Sequence, residues 1–160
     1  DLEQDNITKL KNKGMKKRLL VFVIVLINSS VLFAQDWEND FSKAKEIATK
    51  ENKPIILVFQ GSDWCAPCIK LDREILSSDT FKKYANENYV MLKADFPKRK
   101  KNAVSKAQTK ANALLAEKYN KYGYFPFVVV LDFNGKILGE TSYKKTSAEN
   151  YIKKIKSFIK

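Results

Sequence analysis

An almost uninterrupted apolar run, PIILVFQG at residues 54–61, constrains the fold of this chain more than any other feature. The run follows a proline and is rich in residues that favour strands, so we expect a buried β-strand. A strand that is apolar on both sides requires a sheet that is covered on both faces. The chain of 160 residues is long enough to supply that cover within one compact domain.

The segments around this strand alternate between helical and strand patterns. The predicted order is a helix at 37–53, the strand at 54–61, a helix that starts near Cys65, a short helix at 77–88, a strand at 89–96, a long helix at 102–123, two strands within 125–143 and a helix at 146–160. Asn134–Gly135 is a strong hairpin signal between the last two strands. We therefore predict an α/β fold with a central mixed sheet. Crossover helices join its parallel strands and cover both faces, and the hairpin forms an antiparallel edge.

The segment 15–34 is expected to be a signal peptide rather than part of the fold. A basic triplet precedes an apolar run at 19–27, and the segment ends at the small residue Ala34. These zones are typical of a secretory signal, and the apolar run is shorter than the ~20 residues of a membrane span. An uncleaved anchor is the alternative. We interpret residues 1–14, which precede the first methionine, as an upstream extension, and residues 35–160 as the folded domain.

The chain is basic, with a formal net charge of +12, and it contains no histidine. The segment 35–160 keeps 24 basic and 15 acidic residues, a net charge of +9. Such a charge is compatible with nucleic acid, but an exported protein rarely meets any, so we expect no nucleic-acid partner. The densest cluster, KRKK at 98–101, is interpreted as a solvated loop with at most a weak attraction to anionic lipid or polysaccharide.

The only two cysteines, Cys65 and Cys68, are separated by Ala66 and Pro67. A structural zinc site usually needs four ligands, mainly cysteine and histidine, and this chain offers two. A structural disulfide stabilises by closing a loop, and this pair closes almost none. A redox pair gains from the short separation, because the second thiol lies close to any mixed disulfide that the first one forms. The sequence therefore favours a redox pair.

The predicted elements assign different positions to the two thiols. Cys65 falls between a strand and the start of a helix, where unpaired N–H groups and the helix dipole favour a thiolate. Pro67 suits the first turn, because a proline has no N–H to lose there. We expect Cys65 to be the accessible nucleophile and Cys68, one turn further along, to be shielded. Trp64 is expected to be partly exposed beside them.

The segment FQGSDWCAPCIKLDREIL at 59–76 resembles the active-site segment of thioredoxin-like proteins, and it is most similar to exported bacterial members. LLAEKYNKYGYFPFVVVLDFNGKILGE at 114–140 is similar to the second half of the same fold. The resemblance implies that Pro126 follows a cis peptide bond and faces the cysteine pair. It also implies a substrate-binding surface made by Trp64, Ala66, Pro67, Phe125 and Pro126. One departure is Phe59, which stands where thioredoxins hold a buried aspartate that assists proton transfer to the second cysteine.

These observations predict an exported thiol–disulfide oxidoreductase that needs no cofactor and holds no metal. Cys65 would attack a substrate disulfide and Cys68 would resolve the mixed disulfide; the resemblance favours the reducing direction. The expected partners are protein thiols and disulfides and an electron donor or acceptor. We expect a monomer in the periplasm or cell envelope, with no membrane span in the mature form. The alternatives are a binding module that keeps the fold without redox activity, and an envelope protein that binds polysaccharide.

Overall fold

The computed structural model describes residues 36–159. The strands are β1 (Trp37–Glu38), β2 (Ile55–Gln60), β3 (Val90–Asp95), β4 (Phe127–Leu131) and β5 (Ile137–Thr141). The α-helices are α1 (Phe41–Glu51), α2 (Ala66–Leu71), α3 (Asp79–Asn88), α4 (Lys106–Tyr119) and α5 (Ala148–Lys156). A π-helical segment, Asp72–Leu76, continues α2, and a 3₁₀ turn, Lys100–Asn102, precedes α4. The predicted extension and signal peptide, 1–14 and 15–34, lie outside the described residues.

Five strands form one mixed sheet in the order β1-β3-β2-β4-β5. Strand β2 pairs in parallel with β3, and Gln60 lies opposite Asp95 at the end of the ladder. Strand β4 runs antiparallel to β2, with Phe127 opposite Phe59, and β5 completes an antiparallel hairpin with β4. The carboxyl ends of β2 and β3 and the amino end of β4 therefore lie at the same edge of the sheet.

Both faces of the sheet are buried, as the apolar run of β2 predicts. Ile56 and Val58 face a cluster that includes residues of α2, α3 and α5. Ile55, Leu57 and Phe59 face the opposite cluster, which is covered by α1 and α4. The alternation along one strand thus places two helical layers around a single sheet. The predicted α/β fold with helices on both faces is confirmed.

Capping residues set two helix boundaries that differ from the prediction. Trp37 is not helical, because the Asp40 carboxylate accepts hydrogen bonds from the N–H groups of Ser42 at 2.7 Å and Lys43 at 3.1 Å and starts α1 at Phe41. The long helix likewise begins only after Ser105, whose hydroxyl accepts from the Gln108 N–H at 3.1 Å. It ends at Tyr119, four residues before Gly123, where the prediction ended it. The freed residues 37–38 add β1 to the edge of the sheet.

The sequence predicts antiparallel pairing only within the edge hairpin, and the structure has more of it. Strand β4 lies beside the central strand β2 and is antiparallel to it. The connection from α4 to β4 contains Gly123 at a φ of 67° and a cis bond between Phe125 and Pro126.

Among residues 36–159, no helix combines the length and the apolar character needed to cross a bilayer.

Candidate active site

Cys65 occupies the N-cap position of α2, directly after the loop that leaves β2. Its Sγ atom accepts a hydrogen bond from the Cys68 N–H at 3.3 Å. Ala66 and Pro67 form the start of the helix, so the predicted places of Cys65 and Pro67 are confirmed. An N–H group directed at the sulfur at the positive end of a helix stabilises the thiolate that forms when the pair is reduced.

Cys65 and Cys68 form a disulfide with Cα atoms 5.2 Å apart. Both residues are buried, with exposed fractions of 4% and 3%, whereas Ala66 and Pro67 between them are exposed. The two exposures are nearly equal in this disulfide form, so the prediction that Cys65 is the accessible thiol of the reduced pair stays a prediction.

The cysteine loop is joined to the end of β3 by backbone and side-chain hydrogen bonds. The Phe96 N–H donates to the Gln60 carbonyl at 2.9 Å and extends the pairing of the two strands by one residue. The Asp95 carboxylate accepts from the N–H of Ser62 at 2.9 Å and from its hydroxyl at 2.6 Å. The first residues after β2 are thus fixed against the last residue of β3.

Asp63 makes a second connection, to residues 97–102, which we call the basic loop. Its carboxylate accepts hydrogen bonds of 2.9 Å from the N–H groups of Lys98 and Arg99 and from the side-chain amide of Asn102. These donors, with the Lys98 N–H the strongest, hold the pKa of Asp63 below its ordinary value. Asp63 thereby fixes the basic loop beside the cysteines.

Trp64 presents an aromatic surface next to the disulfide. The residue is 39% exposed, and its indole N–H donates to the Phe96 carbonyl at 2.7 Å. The Phe125 ring packs edge-on against the indole, with 5.5 Å between the ring centroids. The Lys98 ammonium lies 4.0 Å from the centroid of the Trp64 ring. A Cβ atom at Gly61 would lie within 2.7 Å of three indole atoms, so this position must be glycine for the indole to pack as it does. The predicted partial exposure of Trp64 is confirmed.

The Phe125–Pro126 segment lies at the same edge because it immediately precedes β4. The peptide bond between the two residues is cis, as the resemblance implied. The Phe125 ring contacts Trp64 and also packs edge-on against Phe96 at 5.4 Å. Pro126 is buried, and its carbonyl accepts a hydrogen bond from the Ser142 hydroxyl at 2.6 Å. A direct contact between Pro126 and the cysteines stays a prediction.

Phe59 occupies the position where thioredoxins hold a buried aspartate, and its side chain is part of the apolar core. Phe59 is fully buried, and its ring centroid lies 6.4 Å from that of Phe127. A cavity of about 100 Å³ instead opens beside Cys68 and is lined by Gln60, Ser62, Cys68, Ile69 and Asp72. A space of this size holds a few waters, and its polar lining provides partners for them. Asp72 is the carboxylate among these lining residues.

The predicted residues 64–68 follow one another along the loop and the first turn of α2, and the Phe125 ring contacts Trp64. Sequence reasoning missed the connecting roles of Asp63, Asp95 and Lys98. One signal was available for Asp95: it ends a strand parallel to β2, and the carboxyl ends of parallel neighbours lie together. The partners of Asp63 had no local signal, because they lie 35 or more residues further along the chain.

Comparisons with known proteins agree with this geometry. A family model described as thioredoxin-like matches residues 36–132. Disulfide bond reductase DsbH of Chlamydia pneumoniae is 37% identical over 124 residues, which cover 78% of this chain and 72% of the relative. A solved structure named DsbH Oxidoreductase superimposes with a TM-score of 0.72 at 35% identity, covering 78% of this chain and 83% of that one.

A thioredoxin from Thermus thermophilus, at 14% identity and a TM-score of 0.57, covers 76% of this chain and 84% of its own and supports the fold alone. The predicted fold is confirmed, and so is the predicted class of thiol–disulfide oxidoreductase, because the relatives carry that activity in their names and the cysteine pair is in place. The chain belongs to the thioredoxin-like family.

Proposed function

We propose that the protein is an exported enzyme that reduces disulfide bonds of other proteins through Cys65 and Cys68. The observation that carries this proposal is the Cys65–Cys68 disulfide at the start of α2, beside the partly exposed Trp64. The reducing direction is supported by the relative named as a disulfide bond reductase.

The reaction transfers two electrons from the dithiol to the substrate. The Cys65 thiolate attacks one sulfur of the substrate disulfide, forms a mixed disulfide and releases the other substrate sulfur as a thiolate. The Cys68 thiolate then attacks the Cys65 sulfur and releases the second substrate sulfur. The products are a substrate dithiol, which takes up two protons, and the Cys65–Cys68 disulfide. A partner dithiol must reduce this disulfide again by the reverse exchange.

The proton of Cys68 must leave before this residue attacks. Phe59 offers no acceptor, and the carboxylates of Asp63 and Asp95 are bonded to the basic loop and to Ser62. The cavity beside Cys68 provides another route, because Asp72 lines it together with Gln60 and Ser62, whose polar groups can hold water there. We assign the role of proton acceptor to Asp72, acting through water in this cavity.

A substrate polypeptide would lie on the surface formed by Trp64, Ala66, Pro67 and Phe125. The first three are exposed and adjoin the disulfide directly. Phe125 is half-buried and its ring packs edge-on against the Trp64 indole, and the buried Pro126 follows it through a cis peptide bond. We propose these residues as the substrate-binding surface and Cys65 and Cys68 as the catalytic pair.

The proposed compartment is the periplasm or cell envelope of a Gram-negative bacterium. Its support is the signal-peptide pattern at 15–34 together with the exported bacterial group that the cysteine segment resembles. In an oxidising compartment the dithiol needs a dedicated electron donor to stay reduced. We propose that the enzyme works there as a monomer on protein disulfides.

Single cysteine variants test the enzyme. Reduced wild-type protein should be alkylated at Cys65 before Cys68, and Cys65→Ser should abolish disulfide exchange. Cys68→Ser should still attack substrate disulfides but accumulate covalent adducts, visible on a non-reducing gel and identifiable by mass spectrometry. Normal exchange by both variants would contradict the assigned roles. A pair that never opens in the folded protein under dithiothreitol would favour the binding module.

A further inference from the structure

The basic loop carries four consecutive cations next to the cysteine pair. Lys98, Arg99, Lys100 and Lys101 are all exposed. Within residues 36–159, none of the four forms a salt bridge; the ion pairs found there involve Lys43, Lys53 and Arg73. Their charges therefore remain available to a molecule that approaches this edge of the sheet.

The structure gives this charge a defined position, which a freely solvated loop would lack. The Asp63 carboxylate holds the backbone of Lys98 and Arg99 at 2.9 Å, and Asp63 lies two residues before Cys65. The loop is thus fixed through its main chain to the segment that carries the nucleophile. The cationic side chains form no salt bridge in this attachment, and all four stay exposed to a substrate.

Lys98 brings one of these charges onto the substrate-binding surface itself. Its ammonium lies 4.0 Å from the centroid of the Trp64 ring, and Trp64 directly precedes Cys65. The two carboxylates of the same edge, Asp63 and Asp95, have oxygens that accept hydrogen bonds from the loop and from Ser62. The four cations of the loop outnumber these two carboxylates.

We propose that the basic loop selects substrates whose disulfide is flanked by acidic residues. This inference rests on the proposed function, because it names the substrate class of the same site. Exposed charges of opposite sign attract over roughly 10 Å at 0.1 M salt, and they raise association rates more than final affinity. An acidic segment next to the disulfide would therefore reach Cys65 faster than a neutral or basic one.

An acidic polypeptide fits this position better than a membrane surface does. Lys98 lies against Trp64, which with the exposed Ala66 and Pro67 would contact the chain on both sides of a substrate disulfide. A flat anionic bilayer would instead cover the disulfide. The membrane is therefore kept as an outcome of the test.

The test uses the full chain, reduced beforehand, in single-turnover reactions with two synthetic peptides. Each peptide contains one disulfide in the same neutral framework, flanked by glutamates in one and by lysines in the other. We expect the acidic peptide to react about tenfold faster at about 0.01 M salt, where the screening length is ~30 Å, and less than about twofold faster at about 1 M, where it is ~3 Å. Equal rates at low salt would overturn the inference while leaving the proposed function intact.

The double variant Lys98→Gln, Arg99→Gln should lower this preference severalfold. Its matched control is Lys50→Gln, Lys153→Gln, which removes the same charge from exposed positions of α1 and α5 and should keep the preference. An equal loss in both double variants would assign the effect to overall charge and overturn the inference. If the loop variant does not fold, the single variant Arg99→Gln and its control Lys50→Gln make the same comparison.

Two further outcomes distinguish a membrane-binding loop and a failure of the proposed function from the substrate preference inferred here. Binding of the wild type, but not of the loop variant, to vesicles of phosphatidylcholine and phosphatidylserine, with no discrimination between the peptides, would assign the loop to membranes and refute the inference. Failure of the reduced wild type to react with either peptide would contradict the proposed function itself, and the inference with it.

Discussion

Gly61→Ala tests whether the Trp64 indole holds the position that the structure gives it. The glycine does not have a positive φ, so an alanine would meet no backbone strain here. Its Cβ would instead lie within 2.7 Å of three atoms of the indole. Because real Cβ atoms do not tolerate such contacts, the variant must displace the Trp64 side chain.

The expected cost follows from the contacts that the displaced indole loses. The hydrogen bond to the Phe96 carbonyl at 2.7 Å contributes about 1 kcal/mol to stability. The edge-on contact with Phe125 at 5.5 Å contributes about 0.5–1.5 kcal/mol, and the Lys98 ammonium at 4.0 Å contributes about 0.5–1 kcal/mol at an exposed site. Alanine recovers about 0.5 kcal/mol by restricting the unfolded chain. We expect the free energy of unfolding to fall by about 2 kcal/mol.

Gly123→Ala is the matched control. Gly123 has a φ of 67° and no heavy atom within 4 Å of an added Cβ, so its alanine variant should lose about 1–2 kcal/mol through backbone strain alone. Both variants should therefore unfold at lower urea concentrations. Only Gly61→Ala should expose the Trp64 indole N–H to rapid hydrogen exchange, measured by NMR and assigned with Trp64→Phe, and only it should slow reduction of a protein disulfide.

An unchanged urea midpoint in Gly61→Ala, together with an indole N–H that remains protected, would refute this reasoning. It would mean that the indole does not pack over Gly61. Loss of indole protection in the Gly123→Ala control would show that the signal reports general destabilisation rather than the local clash.

Three other predictions concern single side chains. Tyr151 is 3% exposed and, within residues 36–159, its hydroxyl has no hydrogen-bond partner, so Tyr151→Phe should raise the free energy of unfolding by about 1 kcal/mol. Tyr119→Phe removes a hydroxyl that donates to the Gly135 carbonyl at 2.9 Å and should lower this free energy by a similar amount. Urea titrations in which Tyr151→Phe is less stable than Tyr119→Phe would contradict both expectations. The pKa of Asp63 lies below its ordinary value of 3.8, so the hydrogen bonds from its carboxylate should hold the basic loop fully above pH 3.8 and be lost as the pH falls through the lowered pKa. Amide hydrogen exchange in the basic loop should therefore rise only at this low pH. An Asp63→Asn variant with the same pH-dependent rise would exclude the Asp63 carboxylate as the cause. Asp72→Asn should slow the attack by Cys68 on the mixed disulfide by up to about a hundredfold, without slowing formation of the mixed disulfide. If rapid-quench experiments show that the variant resolves the mixed disulfide at the wild-type rate, Asp72 is not the proton acceptor.

Local patterns were sufficient to predict most of the sheet and the position of the nucleophile. The apolar run of β2 and the Asn134–Gly135 hairpin signal required no knowledge of the rest of the chain. Cys65 was placed correctly at a helix start because a strand pattern ended just before it and Pro67 marked the first turn. Each of these signals depends on backbone geometry within a few residues.

The features that were missed depend on contacts between distant segments. Trp37 carries a helical pattern with the residues after it, and only the cap at Asp40 and pairing with Met91 make it a strand. Asp63 resembles an ordinary turn residue until its partners at Lys98 and beyond are known.

The attachment of the basic loop through main-chain N–H groups has an evolutionary consequence. Asp63 recognises the amides of residues 98 and 99, and every residue type except proline supplies the same donor. Mutations can therefore replace Lys98 or Arg99 with neutral or acidic residues while the loop keeps its course beside Cys65. A single carboxylate thus lets the charge around the nucleophile drift between lineages while the catalytic pair stays under separate selection.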